Sequence, residues 1–298
     1  MEHLLKSMLV GNNLAYAASF IIGAALSCYI LYNTLSFYIL RERYHGIRFT
    51  TKNITYITMM IAVSVSVTIL VSQIVPLTVI PSIRIIFEGL MVKITGFIFG
   101  PIVGFLCGLV TEFFMVLFVP SYLHPAFLVT IIAFGFISGL GSSFIKISKG
   151  SNLIIFVLIN LFLFVFAFFM WYLIKVYNKD VSVFGIKMSS NTYSSIFLLV
   201  VSICVFIIWS WAIYYLTKGK KTQLNTLLPI ILFASVEEFL VVVIITPWGD
   251  AANFGIGEVG YISIVIARLI QVPIKVILNV AILKTTYDIV NPLVKRDW

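Results

Sequence analysis

The sequence predicts an all-α protein, a bundle of transmembrane helices, from its composition, its apolar segments and its basic loops. Of the 298 residues, 61% are hydrophobic and only 10% are charged, whereas an ordinary soluble domain carries roughly 25% charged residues. The mean hydropathy is +1.11. The chain is therefore long enough for one large membrane bundle and too apolar for a water-soluble fold.

Nine apolar segments are each near the length that a hydrocarbon layer of about 30 Å demands. They cover 14–40, 54–75, 83–99, 101–119, 125–145, 152–175, 193–216, 225–246 and 259–284. Only Gly100-Pro101 separates the third segment from the fourth. The first segment is too long for a signal peptide and lacks a strongly basic leader, so we expect it to be a retained helix.

The loop charges predict an orientation. The formal net charge is +9, which in a membrane protein is typical of cytoplasmic loops and anionic lipid headgroups, so we do not expect nucleic-acid binding. Most loop Lys and Arg residues fall in 41–53, 146–150, 217–224 and the C-terminal tail, although Lys179 and Lys187 fall on the opposite side. The bias predicts a multi-pass protein of the cell membrane with its N-terminus outside and its C-terminus in the cytoplasm.

Ionisable residues inside the segments are the first candidates for function. They are Arg84, Glu88, Lys93, Glu112, Glu237, Glu238, Arg268 and Lys275. Each costs about 2.5–3.5 kcal/mol at the bilayer midplane, so we expect them to be paired, water-facing or ligand-facing. Arg268, Gln271, Lys275 and Asn279 recur at helical spacing and predict one polar stripe on the last helix, facing the bundle interior. Glu237 lies at a depth similar to that of Arg268 and is a candidate partner for it.

Small residues recur at four-residue spacing and permit close helix packing. They are Gly100, Gly104 and Gly108, then Gly135 and Gly139, and more weakly Ala62 and Ser66. Two interpretations stay open, namely packing inside the bundle and a docking face for another membrane subunit.

Aromatic residues cluster near the loops assigned to the outside. They are Tyr122, Phe127, Trp248, Phe254 and Tyr261. An interfacial belt explains such a cluster, and so does stacking on a flat heterocyclic ligand.

The sequence gives no reason to expect a cofactor or a metal. The three cysteines each lie in an apolar stretch, and the three histidines are not spaced as metal ligands. No Gly-rich phosphate loop is present, so we do not expect this chain to hydrolyse ATP.

Residues 83–140 resemble the substrate-binding (S) subunits of energy-coupling factor vitamin transporters. The resemblance rests on Arg84, Phe99-Gly100-Pro101, Gly104, Gly108, Glu112, Pro125, Phe127 and the stretch Gly135-Phe136-Ile137-Ser138-Gly139-Leu140. A second stretch, 267–275, is similar to the Arg-Leu…Pro-Ile ending of folate-specific members. Two departures from the family pattern are Glu112, where an Asp is expected, and the absence of a Thr-Trp-Leu-like stretch around 234–236.

The resemblance implies a six-helix S-subunit-like core with about three extra transmembrane helices. It divides the chain into an extra N-terminal helix and basic loop (1–53), four core helices (54–146), an inserted helix pair (147–224) and two last core helices with a tail (225–298).

The resemblance also implies a function and partners. The chain would capture a vitamin from outside, with folate or a reduced folate as first choice and riboflavin or pantothenate as alternatives. It would deliver the vitamin inward when docked to a transmembrane coupling subunit and two ATPase subunits, and would not itself be an enzyme. Two alternatives use Glu112, Glu237 or Glu238 differently, in a membrane-embedded enzyme acting on a lipid-like substrate or in a proton-coupled carrier.

Two sets of residues are the candidate sites. The substrate-binding set is Arg84, Glu88, Lys93, Glu112, Tyr122, Phe127, Trp248, Arg268 and Gln271. The coupling-subunit set is Ala62, Ser66, Gly104 and Gly108.

Overall fold

The structure, a computed structural model, describes most of the chain. The described residues are 10–39, 51–74, 81–118, 124–147, 152–177, 181–183, 186–218, 221–255, 257–269 and 271–295.

The described elements are almost entirely helical, which confirms the predicted all-α class. The helices are α1 (Asn13–Ile39), α2 (Thr51–Ile74), α3 (Pro81–Phe99), α4 (Pro101–Phe118), α5 (Pro125–Ile147), α6 (Asn152–Tyr177), α7 (Ser190–Thr217), α8 (Lys221–Val236), a π-helix π1 (Glu237–Ile245), α9 (Thr246–Asn253), α10 (Gly257–Leu269) and α11 (Val272–Lys295). A short antiparallel hairpin of β1 (Val181–Val183) and β2 (Ile186–Met188) lies between α6 and α7, with Val181 opposite Met188. The sequence did not predict this hairpin.

Several helices have the length and composition of membrane spans, as a multi-pass membrane protein requires. Within the described residues, six spans qualify, namely Asn13–Leu35, Pro101–Phe118, Pro125–Ile145, Asn152–Tyr177, Ser190–Tyr214 and Gln223–Asn253. Two shorter apolar helices, Ile54–Val67 and Gly89–Phe99, correspond to the second and third predicted segments.

The last predicted segment, 259–284, is a bent pair of helices instead of one continuous helix, and the two helices together have the length and composition of one span. α10 and α11 meet at a bend of 59° between Leu269 and Val272. The Gln271 N–H donates to the Arg268 carbonyl at 3.0 Å, which makes a tight turn. Pro273, which follows, has no N–H with which to continue a helix from α10.

The chain divides into two compact units, each discontinuous in sequence. The described residues of Ala17–Phe144 and Ala281–Trp298 form the first, which we call the glycine-packed unit. Those of Met1–Tyr16 and Ile145–Val280 form the second, which we call the charge-bearing unit. The four sequence segments inferred from the family resemblance stay a prediction.

The glycine-packed unit is held together by direct backbone contact among α3, α4 and α5. A Cβ atom on Gly104 would collide with the carbonyl oxygen of Gly135, and one on Gly96 would collide with the same oxygen. Between α3 and α4 the chain turns at Gly100, whose φ of +97° is one that residues with a Cβ rarely adopt. Because these glycines have no Cβ atom, the three helices approach as closely as small-residue motifs allow in membranes.

The charge-bearing unit is built around the continuous helical run of α8, π1 and α9, most of which is enclosed by the protein. The ring of Phe239 on π1 packs against that of Phe166 on α6, with centroids 4.1 Å apart. Two buried tyrosines fix neighbouring helices through backbone carbonyls. Tyr261 donates to Ile244 at 2.7 Å, and Tyr193 donates to Ile266.

Candidate functional site: a buried charge cluster

The π-helix π1 leaves a backbone carbonyl available inside the charge-bearing unit. The Thr246 N–H and its hydroxyl both donate to the Val241 carbonyl, five residues back, the hydroxyl at 2.9 Å. Pro247 has no N–H, so it cannot donate to the Val242 carbonyl as the next step of the π-helix would require. Short π-helical segments are rare and are frequent at functional sites.

Arg268 occupies the position opposite that carbonyl. Its Nη1 donates to the Val242 oxygen at 3.0 Å, and its Nη2 forms an ion pair with the Asp250 carboxylate. Both side chains are buried. A guanidinium that bonds a carboxylate and a carbonyl at once is well satisfied, as a charge inside a membrane protein must be.

A second polar contact lies on the same unit, between π1 and α11. The Asn279 Nδ2 donates to the Glu238 Oε1 at 2.6 Å. Lys275 lies one helical turn before Asn279, and its ammonium is close enough to the Asp250 carboxylate to act on it electrostatically. α11 therefore connects the contact at Asp250 with the contact at Glu238.

Five ionisable side chains of this unit are buried together with Asn279, and we call them the charge cluster. They are Glu237, Glu238, Asp250, Arg268 and Lys275, none more than 5% exposed. In their ionised forms they carry three negative charges and two positive ones. Groups buried this deeply have to be paired or to serve the protein's function.

The glycine-packed unit buries one of the predicted cations, Lys93 on α3, which is 1% exposed. Its Nζ lies over the ring of Phe134, 4.1 Å from the centroid. The same ring lies against Gly89, one turn earlier on α3, where a Cβ atom would collide with it. Gly89 thus provides the space in which Phe134 can present its face to the ammonium, a favourable cation–π geometry.

The structure describes only some of the other predicted substrate-binding residues. Tyr122 and the side chains of Arg84 and Glu88 lie outside the described residues. Glu112 is half-buried on α4. Phe127 packs edge-on against His124, with centroids 6.4 Å apart.

Two further predicted residues, Trp248 and Gln271, are half-buried in the charge-bearing unit. Trp248 packs edge-on against Tyr16, with centroids 4.9 Å apart. Gln271 lies in the turn between α10 and α11, where its carbonyl accepts from the Lys275 N–H at 3.2 Å. The predicted polar stripe is therefore broken at Gln271, with Arg268 on one helix and Lys275 and Asn279 on the next.

The predicted coupling-subunit residues divide into two kinds. Ala62 and Ser66 are exposed on α2. Gly104 faces the backbone at Gly135, and a Cβ on Gly108 would lie 2.7 Å from the Ile131 carbonyl oxygen. The two glycines therefore lie at an internal helix contact, which supports the packing interpretation of their spacing. Of the four residues, Ala62 and Ser66 are the ones exposed on the surface.

Asp250 is absent from the residues predicted from the sequence, because it lies between the apolar segments 225–246 and 259–284. The structure continues the helix through Thr246–Asn253 and buries Asp250. Thr246-Pro247 carries the missed signal, since proline is favoured in the first turn of a helix. A helix beginning there places Asp250 within the unit, where Arg268 reaches it.

Comparison with known proteins finds a similarity to an uncharacterized protein over part of the chain. An uncharacterized protein of Mycoplasma pneumoniae (strain ATCC 29342 / M129 / Subtype 1), described as an MG098 homolog, is 29% identical over 128 residues. The match covers 40% of this chain and spans about a quarter of that relative, 27% of its length. No family model and no solved structure matches the chain.

Proposed function

We propose that the chain is the ligand-capturing membrane subunit of a vitamin transporter of the energy-coupling factor type, with folate or a reduced folate as its ligand. In this proposal the protein lies in the cell membrane with its N-terminus outside and its C-terminus in the cytoplasm. It docks to a transmembrane coupling subunit, and two ATPase subunits supply the energy. Riboflavin and pantothenate are the alternative ligands.

The observation that carries this proposal is the buried cation Lys93. Lys93 lies on α3, directly before the Phe99-Gly100-Pro101 stretch on which the family resemblance rests. Lys93 is 1% exposed, at a depth where a charge is costly within a membrane protein, and the face of the Phe134 ring lies beside its ammonium. An ammonium beside an aromatic face suits a ligand that combines a carboxylate with a flat ring.

Arg268 is less suited to meet the ligand than the sequence suggested. Its guanidinium already bonds to the Asp250 carboxylate and the Val242 carbonyl. A ligand carboxylate would have to compete with Asp250, which is covalently part of the same unit. The proposal therefore assigns the ligand's charge to the cation of the glycine-packed unit.

Titration calorimetry on the purified chain tests the ligand. Folate, 5-formyltetrahydrofolate, riboflavin and pantothenate are titrated in turn, first against the unaltered protein and then against Lys93→Met. Loss of a charge-assisted contact in a dry site should weaken folate binding by about 2–5 kcal/mol. The control is Lys284→Met on α11. Lys284 pairs with Asp288, whose side chain is about half exposed, and this variant should bind folate as the unaltered protein does.

Binding of riboflavin alone would refute folate and keep the transporter subunit. Absence of binding for every vitamin would favour the two alternatives, the membrane enzyme and the proton-coupled carrier.

Docking is tested through the exposed pair on α2. Ala62→Trp should abolish uptake in cells that contain the coupling and ATPase subunits, because a bulky side chain blocks close helix approach. Ligand binding to the isolated chain should stay unchanged. Leu70→Trp, at another exposed position of α2, is the control and should transport normally. Equal loss of uptake in both variants would remove Ala62 from the interface.

A further inference from the structure

We propose that the hydroxyl of Thr130 on α5 is a second contact for the ligand's carboxylate, beside the ammonium of Lys93, and that it sets a preference for acidic ligands. Thr130 is not among the residues predicted from the sequence. The inference rests on the proposed function, because it names a further residue of the ligand site in the glycine-packed unit.

The glycine contacts fix the directions of α3, α4 and α5. Gly104 lies against Gly135, and a Cβ on Gly108 would lie against the Ile131 carbonyl, so α4 and α5 are antiparallel. A Cβ on Gly104 would also lie 2.7 Å from the Gly96 Cα, because the turn between α3 and α4 reverses the chain. α3 and α5 therefore run in the same direction. A Cβ on Gly96 would lie 2.2 Å from the Gly135 carbonyl oxygen, which sets these two residues level with each other.

This arrangement places Lys93 and Thr130 at similar depths in the unit. At about 1.5 Å per residue, Lys93 lies about 4.5 Å before Gly96 along α3, and Thr130 lies about 7.5 Å before Gly135 along α5. The two Cα atoms therefore differ by about 3 Å in depth. An extended lysine side chain is longer than this difference.

Thr130 also lies on the face of α5 that carries Phe134. The two residues are four positions apart, so they lie one above the other on the helix. The Lys93 Nζ lies over the Phe134 ring, 4.1 Å from its centroid. The Thr130 hydroxyl therefore lies on the same side of α5 as the ring that the ammonium covers.

The Thr130 hydroxyl is buried and has no hydrogen-bond partner among the described residues. The residue is 2% exposed. Thr58 and Thr95, by contrast, each donate to the carbonyl four residues back, both at 2.8 Å. A buried hydroxyl without a partner is unfavourable in a dry interior, and a ligand carboxylate would accept a hydrogen bond from it.

An ammonium and a hydroxyl on neighbouring helices can hold one carboxylate. The Lys93 ammonium supplies the opposite charge, and the Thr130 hydroxyl donates a charge-assisted hydrogen bond, which is stronger than a bond between neutral groups. A neutral ligand would receive only the weaker kind of bond from the same hydroxyl. Thr130 therefore favours an acid group, while the Phe134 ring provides a surface for a flat one.

The site lies close to one end of its helix. Thr130 follows Pro125, where α5 begins, by five residues, so it lies about 8 Å from that end. The proposed orientation places this end of α5 on the outside. A ligand captured from outside would therefore reach the hydroxyl without crossing the whole bundle.

Titration calorimetry on the purified chain tests the inference with folate and with folate diamide, in which both glutamate carboxylates are amides. Thr130→Val keeps the shape of the side chain and removes the hydroxyl. It should weaken folate binding by about 10- to 100-fold, as the loss of a hydrogen bond to a charged group does, and weaken diamide binding less. Thr130→Ser keeps a hydroxyl and should retain folate binding. Thr58→Val, at an exposed position of α2, is the control and should bind both ligands as the unaltered protein does.

The ligand-free protein separates a role in binding from a role in the fold. Thr130→Val should leave the melting temperature unchanged or raise it, because its hydroxyl has no hydrogen bond to lose. Thr95→Val should lower it, because the Thr95 hydroxyl is buried and bonds to the Met91 carbonyl. An equal decrease in both variants would show that the Thr130 hydroxyl stabilises the fold and would overturn the inference.

The double variant of Lys93→Met and Thr130→Val tests whether the two side chains hold the same group. It should weaken folate binding by less than the product of the two single losses, because residues that contact one group are coupled. A loss equal to that product would overturn the shared carboxylate.

The failure of this inference differs from the failure of the proposed function. Folate binding that Lys93→Met weakens and Thr130→Val leaves unchanged would overturn the role of Thr130 and keep the transporter subunit. Binding of riboflavin alone, which has no carboxylate, would do the same. If pantothenate alone binds, Thr130→Val should weaken its binding, and an unchanged affinity would overturn the inference. Absence of binding for every vitamin would overturn both.

Discussion

The glycine-packed unit and the charge-bearing unit hold their helices together by opposite means. The glycine-packed unit removes side chains, so that α3, α4 and α5 meet at Gly96, Gly104 and Gly135 through their backbones. The charge-bearing unit keeps large polar side chains and satisfies them with one another, as Arg268 and Asp250 show. The contacts among the glycines leave no room for an added side chain, whereas the contacts of the polar side chains depend on each buried charge keeping its partner. The first unit is therefore sensitive to added volume, and the second is sensitive to the loss of a charge.

The largest expected effect comes from breaking the ion pair of the charge-bearing unit. Asp250→Ala should lower the free energy of unfolding by about 3–5 kcal/mol, because it leaves the buried Arg268 without its carboxylate. Steric trapping in detergent micelles measures the free energy of unfolding of both proteins and so gives this loss. Asp288→Ala is the matched control, since the Asp288 carboxylate pairs with Lys284 and is about half exposed. The loss of this pair should cost less than about 1 kcal/mol.

The paired substitution sharpens the same prediction. Asp250→Leu with Arg268→Leu should cost less than Asp250→Ala alone, because no uncompensated charge remains. A double variant that is as unstable as the single one would mean that the loss comes from packing instead of from charge.

The next largest effect concerns the glycine-packed unit. Gly104→Ala should destabilise the protein by about 1–3 kcal/mol, as overpacking does, because its methyl group collides with the backbone at Gly135. Gly23→Ala on α1 is the control, since nothing lies within 4 Å of its added Cβ, and it should be neutral or slightly stabilising. If Gly104→Ala left stability unchanged and reduced uptake, Gly104 would be a docking residue after all.

A smaller effect tests the geometry of π1. Thr246→Val keeps the shape of the side chain and removes the hydroxyl that donates to Val241, so it should cost about 0.5–1.5 kcal/mol. Thr58→Val, in the other unit, removes the same kind of bond to Ile54 at an exposed position. Comparison of the two melting temperatures separates the buried contact from the general loss of a helical hydroxyl bond. An equal change in both would show that the hydroxyl has no special role in π1.

The smallest effect is a pH dependence at the start of α5. The His124 Nδ1 accepts from the Ala126 N–H at 3.2 Å, and burial lowers the pKa of this imidazole below its ordinary value of 6.5. The folded state therefore binds the proton less readily than the unfolded state does. Stability is complete above that ordinary value and declines as the pH falls below it toward the lowered pKa.

His124→Gln should flatten this acid-side decline by at most about 1 kcal/mol, the net value of one neutral hydrogen bond. Melting temperatures of both proteins across the acidic range provide the measurement. An unchanged slope would assign the decline to other groups.

Much of the architecture followed from local sequence. The apolar segments predicted the helices, because a hydrocarbon layer excludes unpaired backbone groups and so imposes helices of a set length. Phe99-Gly100-Pro101 predicted the turn between α3 and α4, because glycine tolerates positive φ and proline begins a helix. The same reasoning failed at Thr246-Pro247, where the polar residues after a long apolar run resembled the start of a loop.

The candidate site could be predicted only in part. The position of Arg268 inside an apolar segment predicted that the bundle has a polar interior, since an isolated charge in lipid is costly. Its partner, however, is Asp250, 18 positions earlier in the chain. α9 carries Asp250 and α10 carries Arg268, and the end of π1 at Pro247 leaves the Val242 carbonyl available to the guanidinium. A helical repeat of 3.6 residues contains no information about such a local change in register.

The sequence by itself determined that this is an all-α membrane protein with costly charges inside its spans, because hydrophobicity and charge are properties of single residues. Tertiary structure alone decided what those residues contact. Gly104 has the same spacing whether it faces Gly135 or another subunit, and only the packing of α5 assigns it to the interior. Likewise, the bend between α10 and α11 sets Arg268 against Asp250 and Asn279 against Glu238. Such contacts depend on the path of the whole chain, which no local pattern specifies.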